Sequence, residues 1–329
     1  MSAVTSETFT DPAISVTNLR MSYGELEAVR GIDLHVDAGE VFALLGPNGA
    51  GKTTTVEILE GHRKRTSGEV SVLGHDPERN ERAFKDRIGI VLQETGVERY
   101  LTVEEVIELF RGYYPHPLPR DQIIEMVGLE EKRTSLVRRL SNGQQRRLDV
   151  AIGLAGDPDL LFLDEPTTGF DPAARRNAWE MIKGLNAAGK TVFLTTHYME
   201  EAQYLADRVA IIARGEIVAE GAPVDLIGRE AITTISFSDL GSGAGDGLPP
   251  PVRDIATITN GRVVIETAEP TKLLQSLTAW AGERGVELEG LTVAPRTLED
   301  VYLKLTGEAE PEEPEPEEIV EAQAQEDEE

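Results

Sequence analysis

Short apolar runs of strand length alternate with amphipathic segments over the first two thirds of the chain. The runs at 41–45, 88–92, 160–163 and 191–194 are almost entirely apolar, which is typical of strands that are buried on both faces. Between them, apolar residues recur at the spacing of helices. Strands that alternate with helices predict an α/β fold on a largely parallel sheet, here in a domain of residues 14–229.

The stretch 94–155 departs from this alternation because it has helical patterns and no strand pattern. Thr102 and Glu105 have the spacing of a capping box, and apolar residues follow them at helical intervals. Ser141 and Gln144 have the same spacing ahead of a second apolar series. We therefore predict a helical subdomain that is inserted into the α/β core.

A smaller second domain is predicted over residues 230–307. Its strand patterns lie at 232–237, 253–258, 262–267 and 286–293, with a Gly/Pro-rich loop at 241–251 after the first, and its helical patterns lie at 271–281 and 297–305. This mixture of elements is typical of a small α+β domain.

The two ends of the chain are too polar to contribute to a core. Residues 1–13 should form a flexible N-terminus, and they lack the basic and then apolar pattern of a signal peptide. Residues 308–329 include twelve acidic residues and no basic one, so they cannot bury enough apolar surface to fold. We expect a disordered acidic tail; a regulatory or partner-binding role is the alternative.

Composition narrows the classes of function. The 329 residues include no cysteine, which excludes disulfides, thiolate metal sites and a cysteine nucleophile. The formal net charge of −27 argues against nucleic-acid binding, which needs a basic surface. No apolar run approaches the roughly 20 residues that cross a bilayer, so any membrane role is expected to come through a partner.

The first candidate site is a glycine-rich segment that follows the apolar run 41–45. It matches the phosphate-loop pattern G-x-x-x-x-G-K-[ST] at each fixed position. Glycines let successive backbone N–H groups converge on phosphates, and the following helix adds a favourable potential. Lys52 should neutralise the β- and γ-phosphates of a nucleotide, and the Thr53 hydroxyl should bind Mg²⁺. The predicted nucleotide-binding residues here are Gly46, Pro47, Asn48, Gly49, Ala50, Gly51, Lys52, Thr53 and Thr54.

Two carboxylates, Asp164 and Glu165, follow the apolar run 160–163. A carboxylate at the end of a strand can hold Mg²⁺, often through water, and Asp164 suits that role. Glu165 is expected to polarise the attacking water as general base. An acidic turn after a core strand is the alternative, and the phosphate loop in the same chain favours the catalytic interpretation.

The segment Leu140-Ser141-Asn142-Gly143-Gln144 closely resembles the LSGGQ signature of ABC ATPases, with Asn142 in place of one glycine. In that family the signature of one subunit contacts the ATP that is bound by the other. Ser141 caps a helix whose N-terminus can point at a phosphate, so Ser141, Gly143 and Gln144 are assigned to nucleotide binding. Asn tolerates left-handed backbone better than most residues, and we expect the loop to keep its shape on that account.

Four single residues resemble further motifs of the ABC family and occur in the family's order. Gln93, at the end of an apolar run, resembles the Q-loop residue that touches Mg²⁺ or the attacking water. Asp171 resembles the D-loop aspartate, and on that resemblance it is assigned to nucleotide binding. His197 resembles the switch histidine that contacts the γ-phosphate and holds Glu165. Tyr23 stands where the family has an aromatic residue that stacks on adenine.

The resemblance implies a motor that works as a pair. Two such subunits, here expected to be identical, should enclose two ATP molecules head to tail with Mg²⁺. Because Glu165 and His197 are both present, we expect hydrolysis of ATP and not binding alone.

The segment 295–307 resembles the terminal motif of drug-resistance-type exporter ATPases. That resemblance implies a separate polytopic permease as partner, a position at the cytoplasmic face of the cell membrane, and a drug, lipid or polysaccharide as cargo. An importer subunit is the alternative. A soluble ABC ATPase that acts on ribosomes or DNA is disfavoured, because the chain has one ATPase domain, no heptads and an acidic charge.

Overall fold

We describe a computed structural model that covers residues 12–91, 96–228, 232–238, 248–259 and 261–306. The chain divides into two compact units, one comprising Met1–Glu220 with Tyr302–Glu329 and the other Gly221–Val301. The domain boundaries given above remain predictions. The expected flexible N-terminus and acidic tail lie almost wholly outside the described residues.

The first unit contains nine strands and seven α-helices within the described ranges. The strands are β1 (Ile14–Tyr23), β2 (Leu26–Val36), β3 (Val41–Leu45), β4 (Ser67–Val72), β5 (Ile88–Val91), β6 (Leu160–Asp164), β7 (Thr191–Thr196), β8 (Arg208–Ala213) and β9 (Glu216–Gly221). The helices are α1 (Lys52–Leu59), α2 (Arg82–Lys85), α3 (Val103–Arg111), α4 (Arg120–Val127), α5 (Asn142–Gly153), α6 (Pro172–Ala187) and α7 (Met199–Leu205).

A six-stranded sheet in the order β5-β6-β7-β3-β8-β9 forms the centre of this unit. Strand β3 pairs in parallel with β7 and β8, and β6 pairs in parallel with β5 and β7. The predicted α/β fold with a largely parallel sheet is therefore confirmed. Because Leu45 lies opposite Thr196 and Asp164 lies opposite Thr195, the carboxyl ends of β3, β6 and β7 meet at one edge. Ligands bind at such edges in open α/β sheets.

A second, antiparallel sheet has the order β2-β1-β4. One continuous apolar cluster connects it to α1 and to the parallel sheet, with Ile14, Val29 and Val56 among its members. In the same cluster, the rings of Phe42 and Phe193 stack with centroids 5.6 Å apart. The phosphate loop between β3 and α1 is thus anchored on a closely packed core.

The predicted helical subdomain is confirmed for its described part, residues 96–155. This stretch contains α3, α4 and α5, and its only strand-like pairing is an isolated bridge between Thr102 and Leu136. Both predicted capping boxes form, one at the start of α3 and one at the start of α5. None of the helices in the described ranges combines the length and the apolar composition that crossing a bilayer requires.

The second unit is built on a four-stranded antiparallel sheet in the order β11-β12-β10-β13. Its core includes Ile235, Phe237, Val263, Ile265 and Leu277. Its elements, together with the last helix of the described chain, are α8 (Pro223–Ile227), β10 (Thr233–Ser238), α9 (Pro250–Arg253), β11 (Ala256–Thr259), β12 (Arg262–Thr267), α10 (Pro270–Arg284), β13 (Thr292–Pro295) and α11 (Leu298–Thr306). The predicted small α+β arrangement is confirmed.

Two predicted strands in this region were wrong in part. The pattern at 253–258 begins in a helix, because Pro250 occupies the first position of α9 and has the backbone geometry that starts a helix. The pattern at 286–293 is a strand only from Thr292 onward. Gly290, with φ of 63°, turns the chain immediately before it. Most of the predicted Gly/Pro-rich loop lies outside the described residues.

Candidate nucleotide site

The phosphate loop needs glycine at two positions where other backbone comes close. A Cβ atom at Gly46 would lie 2.4 Å from the carbonyl oxygen of Ile212. Gly51 has φ of 107°, and a Cβ atom there would lie 2.7 Å from the oxygen of Ala28. The fixed glycines of the motif therefore let the loop pack against β8 and β2 while it turns into α1.

Lys52 is buried at the first position of α1 and points back into the loop. Its Nζ donates to the carbonyl oxygens of Gly46 and Pro47 at 2.8 and 3.2 Å. It also lies 3.5 Å from Oε1 of Glu165. Burial lowers the pKa of Lys52, and the charge of Glu165 opposes that change. A cation that is desolvated among backbone oxygens fits a phosphate ligand, which would supply full negative charge at the same place.

Asp164 ends β6, and its Oδ1 accepts a hydrogen bond from the hydroxyl of Thr195. Thr53, in the first turn of α1, has an exposed side chain. Within the described ranges, no group of three or more His, Cys, Asp or Glu residues could hold a metal ion unaided. One carboxylate and one hydroxyl suit Mg²⁺, which binds through few protein ligands and completes its shell with phosphate oxygens and water.

Glu165 stands at the centre of the site in a strained backbone conformation, with φ of 44°. Its N–H donates to the Thr195 hydroxyl at 3.1 Å, and its Oε2 accepts from the Thr168 hydroxyl at 3.1 Å. Its Oε1 lies 3.2 Å from Nδ1 of His197 and 3.5 Å from Nζ of Lys52. The structure thus brings two other predicted site residues, Lys52 and His197, to the carboxylate of Glu165.

The charged form of Glu165 is strongly favoured. Its close contact with His197 is the largest cause, burial opposes it, and Lys52 and Thr168 add to it, so that the pKa of Glu165 is about 2. Nδ1 of His197 is buried and makes no aligned hydrogen bond, so we regard this contact as a close polar pair and not as a directed bond. At neutral pH Glu165 is therefore a carboxylate that can accept a hydrogen bond from water.

Tyr23 borders the first turn of α1. Its hydroxyl lies 3.3 Å from Oγ1 of Thr54, and the guanidinium of Arg63 lies 5.1 Å from the centre of its ring. The side chain is 40% exposed, which leaves ring surface available. That Tyr23 stacks on adenine stays a prediction.

The signature segment begins α5, and its side chains cap their own helix. The N–H of Gln144 donates to Oγ of Ser141 at 3.4 Å, and Oε1 of Gln144 accepts from the N–H of Ser141 at 3.1 Å. Asn142 is the first residue of the helix and is absent from the described residues with positive φ. The capping box forms with Asn142 in place, as expected of a loop that keeps its shape, but the reason given for it was wrong, because Asn142 has helical and not left-handed backbone.

Asp171 caps α6, where its Oδ1 accepts from the N–H groups of Ala173 and Ala174, both at 2.9 Å. Its side chain is exposed, and nothing within the chain tests its assignment to the nucleotide. Gln93 lies outside the described residues, so its predicted role stays a prediction.

Sequence reasoning missed two residues that hold the acidic pair. Thr195, buried near the end of β7, bonds both Asp164 and the backbone of Glu165. Arg146, buried in α5, donates to two main-chain carbonyl oxygens. Its Nη2 lies 2.9 Å from that of Asp164, and its Nε lies 3.3 Å from that of Pro166. The available signals were weak: a threonine in an apolar strand, and an arginine on the apolar side of a helix.

A parallel sheet with a phosphate loop after one strand and an acidic pair after a neighbouring strand defines a phosphate-loop NTPase. The sequence profile of the family described as "ABC transporter" matches residues 29–168. A second profile, the C-terminal domain of "ABC transporter domain-containing protein-like", matches residues 233–297.

Characterised relatives extend over most of the chain. A Nod factor export ATP-binding protein I of Ralstonia nicotianae is 36% identical, covering 90% of this chain and 94% of its own length. A daunorubicin resistance ATP-binding protein of Streptomyces coeruleorubidus is 36% identical, covering 91% of this chain and 97% of its own length. A linearmycin resistance ATP-binding protein of Bacillus subtilis is 34% identical, covering 89% of this chain and 98% of its own length.

Among solved structures, a dimeric ATP-binding cassette bound to ADP and phosphate is 27% identical. Its TM-score is 0.56, and the match covers 64% of this chain and 98% of that one. The chain therefore belongs to the ATP-binding subunits of ABC transporters, and it is an ATPase. Such subunits bind nucleotide, dimerise and act with membrane permeases. The resemblance that the motifs suggested is confirmed, and these relatives do not favour the importer alternative.

Proposed function

We propose that the chain is the ATP-hydrolysing subunit of a membrane exporter, in which two copies close around ATP and drive a separate permease. The observation that carries the proposal is the placement of Glu165, whose carboxylate lies between Lys52 of the phosphate loop and His197 at the end of β7. A carboxylate that faces a phosphate site and is kept ionised is what hydrolysis by an activated water requires.

In this proposal each residue has a separate task. The loop 46–53 and Lys52 bind the β- and γ-phosphates, and Thr53 and Asp164 hold Mg²⁺. When bound, Mg²⁺ neutralises charge that develops on the phosphate oxygens. Glu165 orients and polarises the water, and His197 keeps the Glu165 carboxylate in place.

The second copy completes the site. Helix α5 is 12 residues long, and Ser141 and Asn142 at its N-terminus are exposed to solvent. The helix dipole and the N–H groups of the first turn suit a phosphate that belongs to the facing copy. Asp171, exposed at the start of α6, is proposed to lie at the same interface. A dimeric structure among the matched cassettes supports this arrangement.

The direction of transport and the place of action rest on the comparisons. Relatives that match about nine tenths of this chain are described as export or resistance proteins, and the C-terminal profile covers 233–297. We propose an ATPase domain at 14–229, a C-terminal domain at 230–307, and attachment to the cytoplasmic face of the membrane through the permease. Cargo would then be selected by the permease, with drug, lipid and polysaccharide classes all compatible.

The proposal is tested by the solution mass of the Glu165→Gln protein with and without Mg-ATP. Slow hydrolysis should trap the closed pair, so we expect the mass to rise from that of one 35.9 kDa chain to that of two. The control is Glu165→Gln combined with Lys52→Ala, which should stay monomeric because ATP no longer binds. A mass that ATP does not change would contradict the proposed homodimeric motor.

A further inference from the structure

Glu201 is a fully buried acid in α7, four residues after His197. Its Oε1 accepts two hydrogen bonds, from Oγ1 of Thr167 at 2.7 Å and from Nε1 of Trp179 at 3.0 Å. Both donors are themselves buried. One carboxylate oxygen therefore joins three segments of the chain that are far apart in sequence.

Each of the three segments carries or adjoins a residue of the proposed site. Thr167 lies two residues after Glu165, in the turn that leads to Asp171. Trp179 lies on α6, which Asp171 caps. Glu201 lies on the helix that follows His197. The bond from Thr167 to Glu201 is thus a direct link between the Glu165 turn and the helix after the switch histidine.

Burying a carboxyl group at this position costs folding free energy that an apolar side chain would not cost. Burial raises the pKa of Glu201, although Thr196, Thr167, Trp179 and the charge of Arg175 oppose that change. Its Oε2 makes no aligned hydrogen bond among the described residues. An apolar side chain of similar volume usually stabilises a core as well as a buried charge does, or better. The residue type therefore points to a need for two acceptor contacts at one fixed point.

The turn that Glu201 holds requires support. Glu165 has φ of 44°, a conformation that persists only where surrounding contacts impose it. We infer that Glu201 is a positioning residue for ATP hydrolysis: its bonds to Thr167 and Trp179 fix the Glu165 turn against α7, so that Glu165 and His197 stay in register. The inference rests on the roles proposed above for Glu165 and His197.

The test uses substitutions that keep side-chain volume in the full chain. Thr167→Val removes one donor, and Glu201→Met removes the acceptor from both partners. Glu201→Gln keeps an acceptor oxygen and should rescue. Glu200→Met makes the apolar change at the exposed neighbouring position and is the matched control. For each variant, kcat is measured together with the Kd for nucleotide and the thermal midpoint.

We expect Thr167→Val and Glu201→Met to lower kcat by roughly 10- to 100-fold, the scale of small misplacements in an active site, with Kd changed less than about twofold. The double variant should be no slower than Glu201→Met alone, because both changes break the same bond. Glu201→Gln should keep a third or more of the wild-type kcat, and Glu200→Met all of it.

Near-normal kcat in Thr167→Val and Glu201→Met would overturn the inference. So would a Kd that worsens in step with kcat, effects that multiply in the double variant, or a Glu201→Gln protein as slow as Glu201→Met. If Glu201→Met fails to fold, Thr167→Val decides, since it exchanges only a hydroxyl for a methyl. Failure of the proposed function would look different, because Glu165→Gln would then hydrolyse ATP normally.

Discussion

The contact between Lys52 and Glu165 leads to a prediction about ATP affinity. Nζ of Lys52 lies 3.5 Å from Oε1 of Glu165, although the proposed task of Lys52 is to hold phosphates. A phosphate that binds at Lys52 must compete with this carboxylate. Glu165→Gln removes the competing charge, so we expect it to bind ATP more tightly than wild type while hydrolysing it on the order of 10²–10⁴-fold more slowly.

The size of the effect follows from the pKa of Glu165. The change from 4.5 to about 2 corresponds to about 3 kcal/mol of preference for the charged form, at about 1.4 kcal/mol per pKa unit. Because the pKa of Glu165 is lower in the folded protein than in the unfolded chain, its charged form stabilises the fold. This stabilisation is fully present above pH 4.5 and is lost as the pH falls through about 2. His197 is the largest cause and Lys52 a smaller one, so the gain in affinity on removing the Glu165 charge should lie below the roughly 100-fold that about 3 kcal/mol would give.

The assay is a titration of wild type and Glu165→Gln with ATP in the absence of Mg²⁺, so that neither protein hydrolyses the ligand. ADP, titrated in parallel, gives the same comparison without the proposed closure of the dimer. Glu200→Gln removes an exposed charge nearby in sequence and should leave affinity unchanged. A folded Glu165→Gln protein that binds both nucleotides no better than wild type would refute the idea that Glu165 competes for Lys52.

Three further outcomes are expected. Lys52→Ala should sharply weaken ATP binding, and normal binding in the same titration would count against its role. Burial, and then the charges of Asp164 and Glu57, raise the pKa of Glu60 to about 8. Wild type should therefore lose about 3 kcal/mol of folding stability between pH 6 and pH 9, whereas Glu60→Gln should not. Urea unfolding of both proteins at the two pH values measures this difference, and an equal pH dependence would contradict it. Deletion of residues 308–329 should leave ATP turnover intact, and a large loss of turnover would show that the tail is not a passive extension.

The parallel sheet and the phosphate loop were predictable because their signals are local. Strand β3 coincides with the apolar run 41–45, since a strand buried on both faces has no polar positions to blur its limits. The meeting of the loop with Asp164 and Glu165 was also predictable, because parallel strands place their carboxyl ends at one edge. The error at 286–293 arose because the alternation of apolar and polar residues continues through a glycine turn.

The side chains that hold the site were not predictable from spacing. Arg146 reaches the carbonyl oxygens of Asp164 and Pro166 only because α5 packs beside the end of β6. Glu201 directly follows Glu200, and no local motif marks which of these two adjacent acids is buried. Such contacts depend on how distant elements pack, which hydrophobic periodicity does not specify.

Glu165 shows how far tertiary contacts override local preference. It precedes Pro166, and a residue before proline favours extended backbone, whereas Glu165 has φ of 44°. Strain of this kind costs of order 1–3 kcal/mol, so contacts with the surrounding structure must offset it. If a phosphate draws Lys52 away, the Glu165 turn loses one of its supports at the moment when its geometry is needed. Arg146, Thr195 and Glu201 have no proposed contact with nucleotide, and they are therefore the supports that must keep the turn in place.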